Sequence, residues 1–462
     1  MFESIRKRGW LWAFLDRYCT QFDPAKVRAA LPEECFDPSR PAMVRGKLAM
    51  RGLMRQSGLR YGLPLRVAGL VDPDLPTDQA LFFSALAREF DLCGAAALVF
   101  GVDLDPVARR ADLLTCIAAL LDRDRVALRL QESGSRGDLK QVERLARGLA
   151  GGLWQRGRAL VADPLLGLPM HNGLVYSDAR FLGRLAMDSY RRRQFSVAAA
   201  SRLRRFAHRE RASLAEALLL LARADHGLSS GARRSIMGQL EALGLPFDLA
   251  REVRELLRRP RPPEAIAAQI RSARTRTFIF EQVVLGSLAD GWRSPGEREF
   301  LKRLAVTLGI PDGEVPRIEA ELAEFYAAEP DFVDRFRMQD SLADLRDRTL
   351  GAVSELIERN WMALAAEAQR GRELSHALSV LAKGGKLNDE ERRRLREQLL
   401  DLAKTIPGLA LFAAPGGLLL VTALAKVLPP SFLPTILVDA TRGYDDTPSP
   451  TLERQREAPP PV

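Results

Sequence analysis

A chain of 462 residues has room for about three domains, and 47% hydrophobic with 28% charged residues marks a globular polypeptide, which excludes general disorder. The net charge of +10 would ordinarily raise nucleic acid or an anionic membrane as partners. Only nine of the 69 basic residues are lysines, and the arginines alternate with carboxylates, as from Arg251 to Arg259, in the pattern of a solvated helix face, so DNA is not expected.

The chain opens with Arg6, Lys7 and Arg8, followed by Trp10, Leu11, Trp12, Phe14 and Leu15. This apolar run stops at Asp16 and Arg17 without a small-residue cleavage site, so it does not read as a signal peptide. Two readings stay open: a terminal helix packed on the body, and an interfacial anchor with tryptophan at headgroup depth. Residues 1–55 form an N-terminal helical arm that includes the start of a basic, apolar-periodic helix over 41–61. A long apolar helix is predicted over 77–100, broken near Gly94 and Gly101. Asp105 followed by Pro106 is an N-cap and first-turn pair that starts a helix running to about residue 121. A Gly/Ser loop over 132–138 leads into a helix over 139–156. Cys19, Cys35, Cys93 and Cys116 show no C-x-x-C spacing and read as reduced, buried thiols.

Between residues 56 and 196 three motifs carry a resemblance: Ala97 with Gly101, Val102, Asp103, Leu104, Asp105 and Pro106; Gly167 with Leu168, Pro169, Asn172 and Gly173; and Arg184, Leu185 and Ala186 with Tyr190. They are similar to the EcsC family of bacterial proteins linked to membrane transport and secretion, which implies an α-helical domain and no settled catalytic chemistry.

An internal repeat follows within residues 197–330. Ala224 and Asp225 recur as Ala289 and Asp290, and the Leu243 to Pro246 stretch recurs as Leu308 to Pro311, with an offset of 65 in both cases. Each unit has an apolar helix, an Asp-containing turn, a second helix and a Gly-Pro stop. The duplicated hairpin resembles the TerB tellurite-resistance family, in which acidic residues at the turns are associated with divalent metal. That resemblance implies Asp225, Asp290 and Glu297 as oxygen ligands for calcium or magnesium. The residues themselves offer a competing account, because Ser294 and Glu297 form a capping box that satisfies helix amides, and Ala232 stands where the first unit would match Glu297. No other cofactor is expected.

Charged connecting helices are predicted over 331–400, and the last segment, 441–462, is expected to be disordered. Between them, residues 401–440 hold 21 uncharged residues between Lys404 and Lys426, long enough to cross a bilayer, but Pro407 and Pro415 break the run. Spanning and burial as a helical hairpin both remain open. Asp401, Lys404, Ile406 and Pro407 before the run, and Lys426, Val427, Leu428, Pro429, Pro430 and Pro434 after it, resemble the membrane segment of the LETM family of leucine-zipper and EF-hand transmembrane proteins. The resemblance implies contact with a membrane surface or bilayer through 402–437. The arginines of the preceding helix, Arg392, Arg393, Arg394 and Arg396, would place the N-terminal side in the cytoplasm.

The four histidines, His171, His208, His226 and His376, have no metal or catalytic spacing, and neither a nucleophile elbow nor a phosphate-binding loop is present. The sequence therefore predicts an all-α, multi-module, non-enzymatic adaptor on the cytoplasmic side of the bacterial inner membrane, active in envelope, ion or metal stress, with a protein partner. The alternatives are a soluble divalent-metal-binding stress protein in the cytoplasm and a ribosome-contacting membrane protein.

Overall fold

The computed structural model describes residues 9–61, 69–71, 75, 77–102, 105–157, 167–224, 237–238, 240, 243–287 and 294–327. Among the described residues the secondary structure is entirely helical, as the sequence patterns predict. The helices are α1 Trp10–Gln21, α2 Pro24–Ala29, α3 Ala42–Gln56, α4 Thr77–Val99, α5 Pro106–Leu120, α6 Asp124–Ser135, α7 Leu139–Gly157, α8 Gly167–Arg192 and α9 Val197–Leu221. They continue with α10 Phe247–Leu256, α11 Pro263–Gln269, α12 Ala273–Gly286, α13 Pro295–Leu308 and α14 Glu314–Ala327. The chain divides into two compact units, Met1–Pro311 with Asp331–Ser341 and Asp312–Pro330 with Leu342–Val462. Within the second, the described part is α14, where Arg317 pairs with both Glu314 and Glu321 along one face. The expected segments 331–400, 401–440 and 441–462 lie outside the described residues.

The first unit is built around α8. Its side chains from Leu168 to Tyr190 are buried at nearly every position, because α3, α4, α5, α9 and α12 all pack against it. Within this unit α8 and α9 are close-packed neighbours. The packing depends on small residues where helices meet. A Cβ on Gly173 would stand 2.3 Å from Leu214 Cδ2, so glycine lets α9 approach α8.

At the N-terminus, Trp10 lies with its ring centre 5.7 Å from those of Phe82 and Phe83 on α4, and Phe14 lies 5.0 Å from Phe83. Leu11, Phe14 and Leu15 are fully buried. The first apolar helix therefore packs on the body, and its Trp10 is core.

Local signals placed several helix starts. Asp105 accepts hydrogen bonds from the Val107 and Ala108 amides at 2.7 and 3.0 Å, opening α5 as its Asp-Pro pair predicts. Other expectations need correction. α4 is continuous through Gly94, where a break was expected; the glycine is there because a Cβ would come within 2.5 Å of the Phe22 ring. α6 runs to Ser135, so the expected loop begins only at the left-handed Gly137. α3 ends at Gln56, short of the predicted residue 61, with Gly58 in the left-handed region.

The repeat is visible in three dimensions. Gly244 and Gly309, 65 residues apart, both adopt left-handed backbone, with φ of 58° and 68°. Each precedes an apolar residue and a proline, and Leu243 and Leu308 are both buried. α9 and α12, the first helices of the two units, pack against each other, with Leu218 and Leu221 closing over Gly286.

Gly173→Val should therefore force α8 and α9 apart and lower stability by about 1–3 kcal/mol. A urea unfolding midpoint indistinguishable from that of the unaltered protein would show that the close approach is not required.

Candidate functional site

Of the three residues implicated in cation binding by resemblance, Glu297 is described, whereas Asp225 and Asp290 lie outside the described residues. Glu297 completes the capping box at the start of α13. Its Oε2 accepts from the Ser294 amide at 3.1 Å, and Ser294 Oγ accepts from the Glu297 amide at 3.0 Å. One carboxylate oxygen is thus engaged by the backbone, as the capping account anticipated. Among the described residues no group of three or more His, Cys, Asp and Glu side chains could hold a metal ion.

The conspicuous polar constellation is in the interior, where α4, α7, α8 and α9 meet. Arg156 on α7 grips the Asp178 carboxylate with Nε and Nη2, a bidentate pair. Arg211 on α9 donates to Asp178 Oδ1 at 3.1 Å, to Ser177 Oγ at 2.6 Å and to the Leu243 carbonyl at 3.0 Å. Its side chain is 2% exposed, so three acceptors satisfy a guanidinium that has left water. Glu89 and His171 join Arg156 and Asp178 around a cavity of about 50 Å³, room enough for water.

Burial sets the electrostatics here. It pushes the Glu89 carboxyl well above the usual carboxylate range; the neighbouring Asp178 charge pushes the same way and Arg156 opposes. Burial lowers Arg211 to about 9, aided by the like charge of Arg156. Burial also lowers His208 to about 4, helped by Arg211 and Arg156, which keeps that imidazole neutral. Every charge in this group faces an opposite charge or is held neutral, which is the arrangement of a structural tie.

A second group of cations is not neutralised. Arg180 is committed to Glu210 and to Thr275 Oγ1, and Arg60 to Glu281. Around them stand Arg51 on α3, Arg184 on α8 and Arg274 on α12, none bound to a carboxylate among the described residues. The Arg184 guanidinium lies 4.8 Å from the Phe206 ring centre, and Arg180 lies 5.5 Å from the same ring. Burial, then repulsion by Arg180, lowers Arg184 to about 10. Arg274 is lowered first by burial and then by Arg51, with Arg180 and Arg60 adding to it. Phe206 is 36% exposed, and Arg51 and Arg274 face solvent. Among the described residues these five arginines are bonded to two carboxylates, Glu210 and Glu281, and Arg180 and Arg184 lie against the Phe206 ring.

Sequence reasoning missed both groups. For Glu89 a signal exists in the sequence, because a carboxyl in the long apolar helix over 77–100 needs an interior explanation. The arginines were hidden among many others.

Residues 143–322 match a family model described as "Protein of unknown function (DUF533)". That family is related to TerB-like helical domains. The match begins inside α7 and takes in Arg156, Asp178, Arg211 and both repeat units, while Glu89 lies outside it. No curated protein and no solved structure matches the chain.

Glu89 gives a pH test with a definite sign. Its folded-state affinity for a proton exceeds that of the unfolded chain, so its contribution is full below the ordinary carboxylate range and is lost as pH rises toward the folded value. Glu89→Gln should match the parent near pH 4 and gain on it above that, by up to about 1.4 kcal/mol per pH unit across the window. Parallel melting curves with a constant difference between pH 4 and 8 would refute this assignment.

Proposed function

We propose that this protein is a non-enzymatic helical adaptor that docks on an anionic membrane surface through the arginine face around Phe206. The observation that carries the reading is the uncompensated charge: among the described residues Arg51, Arg184 and Arg274, from three helices, have no carboxylate partner, and the Arg184 guanidinium lies against the partly exposed Phe206 ring. Arginine clusters of this kind match phosphate-bearing headgroups, and an aromatic side chain suits the boundary between headgroup and acyl layers.

The non-enzymatic part of the reading is supported by the interior. Its acid and base groups are tied to one another, and Arg211 and Asp178 are too deeply buried to meet a substrate. The apolar segment 402–437, outside the described residues, would add a second membrane contact if it inserts. A partly buried arginine surface and an apolar segment together give two weak anchors, which is the usual requirement for stable peripheral attachment. Among the described residues no helix is long and apolar enough to cross a membrane.

Sedimentation of full-length protein with vesicles tests the proposal. Binding should be strong with phosphatidylglycerol-rich vesicles, weak with phosphatidylcholine, and reduced by salt. Replacing Arg51, Arg184 and Arg274 together by Gln should weaken binding to the anionic vesicles by about a hundredfold, at roughly 1 kcal/mol for each charge. Equal, salt-insensitive binding to both vesicle types, unchanged in the triple variant, would show that this face does not dock.

A further inference from the structure

Beyond the arginine face, the first unit contains an apolar cavity of about 350 Å³ between α1, α2, α4, α5 and α8, a volume within the range of small-molecule sites. From this cavity we infer a binding site for a single acyl chain with an anionic head, of the fatty-acid type. Three features of the wall point to that class.

The first is the scarcity of free polar groups. Phe22, Phe90, Ala97, Leu98 and Leu113 line most of the cavity. The two phenols in the wall have their protons committed elsewhere. Tyr18 donates to Asp91 Oδ1 at 2.9 Å, and Tyr190 is hydrogen-bonded to Asp112. A ligand rich in hydrogen-bonding groups would lose its water shell there without replacement, whereas an alkyl chain loses nothing. The second is Arg109, the charged residue of the lining. Its guanidinium lies 4.7 Å from the Phe22 ring centre and has no carboxylate partner among the described residues, while the adjacent Arg110 is paired with Asp16. Arg109 is partly exposed, so an anion bound there stays near water while the attached chain runs inward.

The third is the placement of Phe22. Gly94 lacks the Cβ that would stand 2.5 Å from the ring, so Phe22 rests directly on the α4 backbone at the edge of the cavity, beneath Arg109. The ring thereby joins the apolar wall to the cation. One charge at one end of an otherwise apolar space is the complement of an amphiphile with one head and one tail.

The test uses full-length protein, an environment-sensitive fluorescent acyl carboxylate as probe, and dodecanoate, dodecyl phosphate and dodecanol as competitors. Dodecanoate should displace the probe about tenfold more effectively than dodecanol, and Arg109→Ala should abolish that preference while leaving dodecanol unchanged. Displacement by dodecyl phosphate as strong as by dodecanoate would identify the head as any anion; weaker displacement would single out the carboxylate. Ala97→Phe should fill the cavity and remove binding of all three, with Leu98→Trp as the second filling variant should the first unfold on circular dichroism. Failure of dodecanoate to displace the probe, equal affinity for dodecanoate and dodecanol, or binding that survives a folded filling variant would each overturn the inference. The arginine face is untouched in these variants, so vesicle docking should persist in all of them.

Discussion

The structure depends on one constraint: α8 is buried over most of its length and yet carries charged side chains. A charged side chain sealed in its interior stretch cannot reach water, so it must be met by a partner from a neighbouring helix. Asp178 is met by Arg156 from α7 and Arg211 from α9, Arg180 by Glu210 from α9 and Thr275 from α12, and Asn172 by Gln282 from α12 at 2.7 Å. Pairs of this kind add little net stability compared with apolar residues of the same shape. Their effect is on uniqueness. A shift of α8 by one turn would leave several buried charges without partners at once, and the surrounding helices are thereby held in a single register.

Duplication supplied part of this network and then diverged. Arg211 in the first unit and Arg276 in the second occupy equivalent positions, and both turn back onto the carbonyls of their own surroundings, Arg211 to Leu243 and Arg276 to Ile270 at 2.8 Å. Glu210 and Thr275 are also equivalent, and here the two copies touch: the Thr275 hydroxyl donates to Glu210, and both engage Arg180. One position of the repeat has become the acid and its counterpart the neutral donor, which suits a site near the line where the two units meet. Glu216 and Glu281 follow the same rule, each reaching an arginine from a different part of the chain, Arg261 and Arg60.

Much of the fold was legible because its signals are local. Asp105 with Pro106, Ser294 with Glu297, and the paired Leu-Gly-x-Pro stops each act within one helical turn, and each appears where the residues place it. The failures have a different character. Gly94 looked like a break because an isolated glycine lowers helix propensity, but the structure uses its missing side chain to seat Phe22, a partner 72 residues away that no local pattern reveals. The fates of Arg156, Arg211 and Glu89 were equally hidden. Helical periodicity says which face of a segment is apolar; it does not say which distant arginine will stand opposite a buried carboxyl. Of the candidate cation ligands, Glu297 was readable as a cap, while Asp225 and Asp290 lie outside the described residues.

The same residue type therefore does two kinds of work in one unit, and burial separates them. Where arginine is sealed inside, as at Arg211, an uncompensated charge would cost several kcal/mol, so carboxylate, hydroxyl and carbonyl acceptors surround it. Where arginine stands at the boundary with water, as at Arg51, Arg274 and Arg109, solvent screens the charge and the fold tolerates it without a partner. Arg184 is the intermediate case: partly buried, beside other arginines, and stacked on a ring rather than bound to a carboxylate. A cation held in that state gains from any anion that arrives.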